Sequence, residues 1–400
     1  MSRGINLRHA WIVFTKELSD TIRDRRTWWA MIILPIVIVP LMTLIGPRAA
    51  IKQAEDVQRN KSDIVVAGAE RAPTLVQYLE ASGQFNLVAA DPATALKDRK
   101  ALTVIHVPAD FEDSLRQEKP AQVRVAFDAS DNKSSMVEEK VARVLTMFSQ
   151  AVVTARLQAR GYDPTILTPL AMNFENVAPK EQMGATFLGM ILPMLMAMWA
   201  ATGGLYAAID VAAGEKERGT LEALLTVPVS RMSLAVGKYL VVVVSSLIAA
   251  AISLVGFAVA FRVAPVSLQP GQEVTFTMTA AQVGLIFLVA LTLSAFFAAI
   301  ELTVSSFARG FREAQTYLTP ITFIVIIPWI LTEFTSPADI PSWYYMVPVM
   351  NGVMAFKELV MGIVNPAHIR DTLVFSAIYV VIALRLAGRL FQRESVLFRS

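Results

Sequence analysis

Six stretches of this chain are apolar over about 20 residues, and no other feature limits its fold so strongly. A helix that rises 1.5 Å per residue needs about 20 such residues to cross roughly 30 Å of hydrocarbon. The composition agrees, since 54% of the 400 residues are hydrophobic, 17% are charged and the mean hydropathy is +0.51. The predicted membrane spans are residues 28–47, 185–209, 234–261, 281–306, 315–332 and 372–390.

The distribution of basic residues predicts the orientation of the spans. Residues 48–180 carry 17 Lys/Arg and 17 Asp/Glu, so this long stretch is neutral and has the composition of a soluble domain. Most other Lys/Arg residues fall into four groups, in 1–27, in and just after 210–233, at 309–312 and in the last 16 residues. Because Lys and Arg near span ends mark the cytoplasmic side, we expect these groups and both termini inside the cell, with residues 48–180 outside.

The sequence therefore predicts an α-helical polytopic membrane protein in the cell inner (plasma) membrane. Six transmembrane helices are expected, with an inserted extracytoplasmic α/β domain between spans one and two. The predicted parts are a cytoplasmic interfacial amphipathic helix (1–27), the first transmembrane span (28–47), the α/β domain (48–180) and a five-span transmembrane domain (181–400).

The α/β assignment of residues 48–180 depends on short apolar runs that alternate with helical patterns. The runs predict strands at Ile64–Ala67, Phe85–Ala89, Leu102–Val107 and Val123–Phe127. The intervening segments predict helices at 73–82, 91–100 and 109–118, followed by a long helix at 134–159. Such alternation favours at least some parallel strand pairing.

The N-terminal segment has apolar residues at spacings of three and four, with charges between them. The apolar positions are Leu7, Trp11, Phe14, Leu18 and Ile22. This pattern predicts an amphipathic helix that lies on the inner leaflet.

Residues 343–364 are long enough for a span, but polar and helix-breaking residues interrupt them. These are Pro348, Asn351, Gly352, Lys357 and Glu358. A crossing here would also place the C-terminal arginines outside, against the charge rule. The sequence therefore predicts a re-entrant or interfacial segment on the outer side.

Residues 214–231 form a charged, amphipathic insert between two apolar spans. A cluster of charges precedes three apolar residues, Leu221, Leu224 and Leu225. This pattern predicts a short helix over 213–227 with one polar and one apolar face. A helix of this kind does not cross a bilayer, so it lies at the membrane surface, where a partner protein can bind it.

The charges of the insert suit such a helix. Glu215 and Glu217 would lie in its first turn, where negative side chains interact favourably with exposed backbone N–H groups. Arg218 and Glu222 are four residues apart and can pair on one face.

The chain shows no catalytic motif. Its Gly237-Lys238 pair has Met232 and Tyr239 where a phosphate-binding loop needs glycine and a magnesium-binding hydroxyl. The three histidines are isolated in the sequence, and the absence of cysteine excludes a thiolate metal site. We therefore expect neither an enzyme nor a bound metal.

The insert closely resembles the cytoplasmic Glu-Lys-Glu-Arg-Gly-Thr-Leu-Glu-x-Leu-Leu-x-x-Pro-Val-Ser-Arg segment of type-2 ABC exporter permeases, particularly the sodium-efflux (NatB-like) branch. The matching residues are Glu215, Lys216, Glu217, Arg218, Gly219, Thr220, Leu221 and Glu222, continuing to Pro228, Val229, Ser230 and Arg231. The succession of basic N-terminal helix, one span, outside domain and five further spans extends the resemblance over the whole chain.

The resemblance implies that residues 215–222 belong to a coupling helix that docks in a groove of a separate ABC ATPase subunit. The chain would be the membrane (permease) subunit of an ATP-driven ABC exporter, a permease homodimer bound to two ATPase copies and to membrane lipid, without nucleic acid. No cofactor is expected in this chain, since ATP and Mg would bind the partner. Sodium is the cargo that the resemblance suggests. The alternatives are export of a peptide, lipid or antibiotic, or a membrane sensor or assembly protein that relays ligand binding by the outside domain.

Ionisable residues within the spans are the first candidates for a transport path. Asp210 ends the second predicted span, and Glu301 lies about 1.5 turns from the inner end of the fourth. The alternative for both is a position at the lipid headgroups that only marks the end of a span.

Overall fold

The structure is a computed structural model that describes residues 5–167, 170, 180–220, 227–263, 267–269, 272–273, 278–333, 335–336 and 339–391. The chain forms two compact units. One is Pro47–Asn176, and the other combines Met1–Gly46 with Val177–Ser400.

Helices dominate the N-terminal part of the chain. They are α1 (Leu7–Arg23), α2 (Arg25–Trp28) and α3 (Leu34–Arg59), with a π-helical turn at Trp29–Ile33 between the last two. The side chain of Asn6 accepts hydrogen bonds from the backbone N–H groups of Arg8 and His9, which explains why α1 begins at Leu7. The predicted first span, 28–47, includes side chains that lie outside the described residues, so it stays a prediction.

The unit Pro47–Asn176 contains a four-stranded mixed sheet. Its strands are β1 (Ser62–Ala67), β2 (Phe85–Leu87), β3 (Thr103–His106) and β4 (Arg124–Phe127), and its helices are α4 (Pro73–Ala81), α5 (Phe111–Arg116) and α6 (Asn132–Ala159). The strand order is β2-β1-β3-β4, with β1 parallel to β2 and β3, and with β4 antiparallel to β3. Its main core joins both layers, with Ile64 and Ile105 of the sheet packed among Leu75, Val141 and Phe148 of the helices.

The sequence located these strands to within about two residues, and it predicted the parallel pairing correctly. The helix expected at 91–100 is wrong, since this segment forms successive turns. The chain leaves these turns through Arg99, whose φ of 55° lies in the left-handed region. A regular helix does not pass through that region.

The remaining elements follow after residue 180. They are α7 (Lys180–Thr202), α8 (Leu205–Ile209), α9 (Glu215–Glu217), α10 (Arg231–Val263), a short antiparallel hairpin of β5 (Ser267–Gln269) and β6 (Gln272–Glu273), α11 (Ala280–Phe307), α12 (Phe311–Leu318), α13 (Pro320–Thr332), α14 (Met350–Val360) and α15 (Pro366–Phe391). A π-helical turn, Asp210–Gly214, connects α8 to α9. Their packing includes a cluster in which Ala208 and Val211 contact Val242 of α10 and Leu302 of α11.

Five helices in the described part of the chain are long and apolar enough to cross a membrane. They are Leu188–Glu217, Arg231–Val259, Ala280–Phe307, Phe311–Thr332 and Pro366–Arg389. They correspond to the second to sixth predicted spans. The second extends eight residues further than predicted, through the first charges of the insert.

Helix α1 packs along α10. Phe14 lies with Ala207 and Val241 in one apolar cluster, and Leu18 packs against it. The crossing is close, because a Cβ atom at Gly237 would lie 2.7 Å from Cβ of Val13 and 2.8 Å from the carbonyl oxygen of Ala10.

The predicted apolar stripe of α1 is therefore divided between two environments. Leu7, Trp11 and Ile22 remain exposed, whereas Phe14 faces the protein. The position of α1 on the inner leaflet stays a prediction, and the exposed residues are those that it would place against lipid.

The segment 343–364 forms a 3-10 turn, Ser342–Met346, followed by α14, and every residue of α14 is buried. At 11 residues, α14 is about 16 Å long, which is too short to cross the hydrocarbon region. Its place in the membrane stays a prediction.

Polar side chains anchor α14 to its neighbours. Lys357 Nζ donates to the carbonyl oxygens of Thr332, Glu333 and Thr335 at 2.7, 2.8 and 2.9 Å, respectively. The next residue, Glu358, has a carboxylate oxygen, Oε1, that lies 2.8 Å from Nδ1 of His368. These contacts explain why charged residues interrupt an otherwise apolar segment.

Candidate functional site

The candidate site is built around Glu215, Lys216, Glu217 and Arg218, which we call the charged segment. The first three close the helical run Leu188–Glu217 at its C-terminal end. The chain then turns at Gly219, whose φ of 70° is typical of the residue that ends a helix. Each of the four charged side chains has a different partner.

Glu215 pairs with Lys238 of α10, and both side chains are at least nine-tenths buried. Lys238 Nζ also donates to the carbonyl oxygen of Val211. Both charges are thus removed from water and compensate each other. Removing either partner would leave an uncompensated charge in the protein interior and would destabilise the fold. It attaches the end of the second span to the start of the third.

Lys216 reaches the C-terminal end of α11. Its Nζ donates to the carbonyl oxygen of Ser306 at 2.5 Å. The last carbonyls of a helix have no partner within it and carry partial negative charge, so a lysine is a favourable partner there.

Glu217 interacts with the N-terminal end of α12. Its Oε2 atom accepts from the backbone N–H of Phe311 at 2.7 Å. The N-cap residue, Gly310, has no side chain to do this, and a Cβ atom at that position would lie 3.0 Å from the same oxygen. The carboxylate therefore replaces a local cap and needs the space that glycine leaves.

Arg218 folds back on its own helix. Its Nη1 atom donates to Oδ1 of Asp210 at 2.7 Å, with the arginine side chain 54% exposed and the aspartate 34%. This hydrogen bond, assisted by the nearby charges of Asp210, Glu215 and Glu17, raises the pKa of Arg218. Glu17 belongs to α1 and is buried, so α1 contributes charge to the site as well.

The local structure differs from the sequence prediction in two ways. Glu215 and Glu217 lie at the end of a helix and not in the first turn of one, because the second span continues to Glu217. Arg218 pairs with Asp210. Residues 221–226 of the predicted helix 213–227 lie outside the described residues, so the expected pair of Arg218 with Glu222 stays a prediction. Among the other predicted site residues, Gly219 and Thr220 are exposed.

Sequence reasoning missed the partners of the charged segment. Lys238 was considered only as part of a failed phosphate-loop match, although it lies inside the predicted span 234–261, where an ionisable residue is expected to have a partner. The backbone partners at Ser306 and Phe311 have no sequence signal, since any residue supplies a carbonyl or an N–H group.

The two residues predicted for a transport path lie in different environments. Asp210 is engaged by Arg218 and is partly exposed. Glu301 is completely buried in α11, and neither of its carboxylate oxygens has a hydrogen-bond partner among the described residues. Within the described part of the chain, no three His, Cys, Asp or Glu side chains are grouped closely enough to hold a metal ion.

Two comparisons with known proteins bear on this arrangement. The family model described as ABC-2 family transporter protein matches residues 25–388. The chain is also similar to the ABC transporter permease protein NatB of Bacillus subtilis (strain 168), with 27% identity over 389 residues that cover 96% of this chain and 97% of the relative.

Proposed function

The chain belongs to the ABC-2 family of transporter proteins, and we propose that it is the permease subunit of an ATP-driven exporter. As a member of this family it is a multi-pass membrane subunit of an ABC transporter. We place ATP hydrolysis, with its ATP and Mg, in a separate ATPase subunit, because this sequence has no phosphate-binding loop.

The main observation behind the proposal is that the charged segment contacts several helices. Three successive side chains contact three different helices: Glu215 contacts α10, Lys216 contacts α11 and Glu217 contacts α12. These helices belong to the third, fourth and fifth predicted spans. A displacement of the charged segment therefore acts on four spans at once, including its own.

The contacts are of a kind that transmits force. Hydrogen bonds with a charged partner are short and about twice as strong as neutral ones. The Glu215–Lys238 pair is buried, so water does not replace either partner at low cost. We infer that an ATPase that moves residues 215–220 would move the ends of these spans with it.

The exposed side of the same segment is available to a partner. Glu217, Arg218, Gly219 and Thr220 are exposed, although the side chains of Glu217, Arg218 and Thr220 have partners in this chain. We propose that the ATPase binds this surface from the cytoplasm, which places both termini inside and residues 48–180 outside. The working assembly would be a permease homodimer with two ATPase copies.

Sodium is the cargo that we propose, on the basis of the sequence resemblance to sodium-efflux permeases. The direction of transport follows from the same resemblance. Export of a peptide, lipid or antibiotic would use the same architecture and is distinguished by measuring which cargo depends on ATP.

Co-purification with the ATPase tests the coupling role. Replacing Glu217 and Arg218 together by glutamine removes both charges but keeps an acceptor for the Phe311 N–H and a donor for Asp210. We expect the variant to fold and to bind the ATPase at least tenfold more weakly, because losing a charge pair at a desolvated interface costs about 2–5 kcal/mol. Unchanged binding would contradict the proposal.

The matched control removes two charges from exposed positions elsewhere. Lys97 and Arg99 are exposed in the unit Pro47–Asn176, and their replacement by glutamine should leave ATPase binding unchanged. The permease purified without its partner should show no ATP hydrolysis.

A further inference from the structure

Helix α11 carries three buried polar side chains that have no hydrogen-bond partner among the described residues. Ser294, Glu301 and Ser305 are all 0% exposed. Neither serine Oγ atom nor either carboxylate oxygen has a hydrogen-bond partner within the described residues. Burying a carboxyl group in this way is costly unless something compensates it.

Neighbouring hydroxyl groups on the same helix behave differently. Thr292, Thr303 and Ser306 each donate to a carbonyl oxygen of the preceding turn, at 2.8, 2.6 and 2.7 Å. That is the usual arrangement for a hydroxyl in an apolar helix. Ser294 and Ser305 do not adopt it, so within the described part of the chain their hydroxyl oxygens are available to a ligand.

The three unpartnered side chains form one stripe. Residues seven and four apart lie on the same face of a helix, and at 1.5 Å per residue Ser294 and Ser305 are about 16 Å apart along the axis. Glu301 and Ser305 are close neighbours on that face. Ser294 lies about two turns further along it.

The stripe lies inside the helical unit. On one side of it, Leu293 is next to Gly352 of α14, and on the other side Ala298 and Leu302 pack against α10 and the second span. On α10, Ser246 and Ser253 are also buried, seven residues apart and without partners for their hydroxyl groups among the described residues. Ser246 faces the second span, because its Oγ atom lies 2.5 Å from the position of a Cβ atom on Gly204.

The chemistry of the stripe defines the ligand that it suits. Its donors are a carboxylate and hydroxyl oxygens, which are ligands for hard cations, and it contains neither sulfur nor imidazole. The stripe offers a single negative charge, which a monovalent cation would neutralise. A divalent cation would leave one positive charge uncompensated in the interior.

We propose that Glu301 and Ser305 bind a small monovalent metal cation, with Ser294 the next oxygen along its path. The inference rests on the proposed function and deepens it by naming the residues that take the cargo. Lys216 bonds to Ser306, one residue beyond Ser305, so the charged segment is attached to the helix that carries the site.

Thermal unfolding of the full-length chain in lipid nanodiscs tests the proposal without the ATPase. The melting temperature is measured at one ionic strength in choline, sodium, lithium, potassium and calcium chloride, and the series is repeated at several fixed pH values. A cation at about ten times its Kd should raise the Tm by roughly 2 °C over choline, and at about a hundred times its Kd by roughly 3 °C. We expect this rise with sodium or lithium.

Three variants locate the effect. Glu301→Gln keeps the side-chain volume and removes the charge, so it should fold and lose the cation response. Ser305→Ala should require at least about tenfold more cation for the same shift. Thr303→Val, whose hydroxyl is already bonded within the helix, should respond as the unmodified chain does.

Several outcomes would overturn the proposal: an equal Tm in all five salts, an undiminished response of Glu301→Gln, or a larger shift with calcium than with sodium. A Tm that changes with pH but not with the cation would show that the stripe binds a proton and not a metal cation, and would also overturn the proposal. Co-purification separates this inference from the proposed function, because Glu301→Gln should still bind the ATPase.

Discussion

The carboxylate of Glu217 caps a helix that begins 94 residues later, through a bond of 2.7 Å to the backbone N–H of Phe311. Gly310, the residue before that helix, supplies no cap of its own. This hydrogen bond therefore connects the C-terminal end of the second predicted span to the N-terminal end of the fifth.

Replacing Glu217 by alanine should destabilise the start of α12. Loss of an N-terminal cap costs about 1 kcal/mol, so we expect a small but measurable decrease in the Tm of the purified chain. Glutamine retains an acceptor oxygen and should recover most of this loss. Equal destabilisation by alanine and glutamine would show that the charge, and not the hydrogen bond, is what matters at this position.

The pair of Glu215 and Lys238 should respond more strongly. Lys238→Met leaves a buried carboxylate unpaired, and breaking such a pair costs about 3–5 kcal/mol. The double variant Glu215→Gln with Lys238→Met removes both charges and should be more stable than the single variant. Tm and the yield of monodisperse protein measure the difference, and a double variant no better than the single one would contradict the assignment of an ion pair.

Much of the fold could be predicted from the sequence, because helices and strands leave local patterns of apolar and polar residues. Apolar runs located five helices that the structure describes as long and apolar enough to span a membrane. Alternating patterns located all four strands of the sheet in the unit Pro47–Asn176. The helix of the second predicted span continues to Glu217, eight residues beyond the predicted end of that span. The charges after Asp210 suggested a separate surface helix, whereas their partners on other helices allow this helix to continue through them.

The site was accessible only in part. The sequence singled out Glu215–Arg218 for the site and Glu301 as an ionisable residue within a span, but it did not predict that Arg218 pairs with Asp210. Contacts such as that of Lys216 with the carbonyl oxygen of Ser306 depend on tertiary packing. The sequence does not predict them, because every residue has a backbone carbonyl. The polar stripe required burial and hydrogen bonding to be known for each hydroxyl, since the sequence of α11 does not distinguish Thr303 from Ser305.

Lys357 should be essential for the position of α14. Lys357→Met would leave the carbonyl oxygens of Thr332, Glu333 and Thr335 without the donor that they share. An unsatisfied buried polar group costs about 1–3 kcal/mol, so we expect a loss of roughly 2–4 kcal/mol for the set, seen as a lower Tm and faster proteolysis near residue 335. Arg370→Ala is the control, because that exposed side chain pairs only with Asp371 in the described structure.

Membrane topology is tested by labelling, and the sequence makes the experiment clean because it has no cysteine. Lys97→Cys and Lys119→Cys place single thiols at exposed positions of the unit Pro47–Asn176, and Thr220→Cys places one beside the charged segment. If basic residues mark the cytoplasmic side, a membrane-impermeant maleimide added to intact cells should label positions 97 and 119 and not position 220. Position 220 should react only after the membrane is permeabilised. The reverse pattern would place the charged segment outside, where no cytoplasmic ATPase reaches it, and would reject the coupling role of Glu217 and Arg218 together with the proposed orientation.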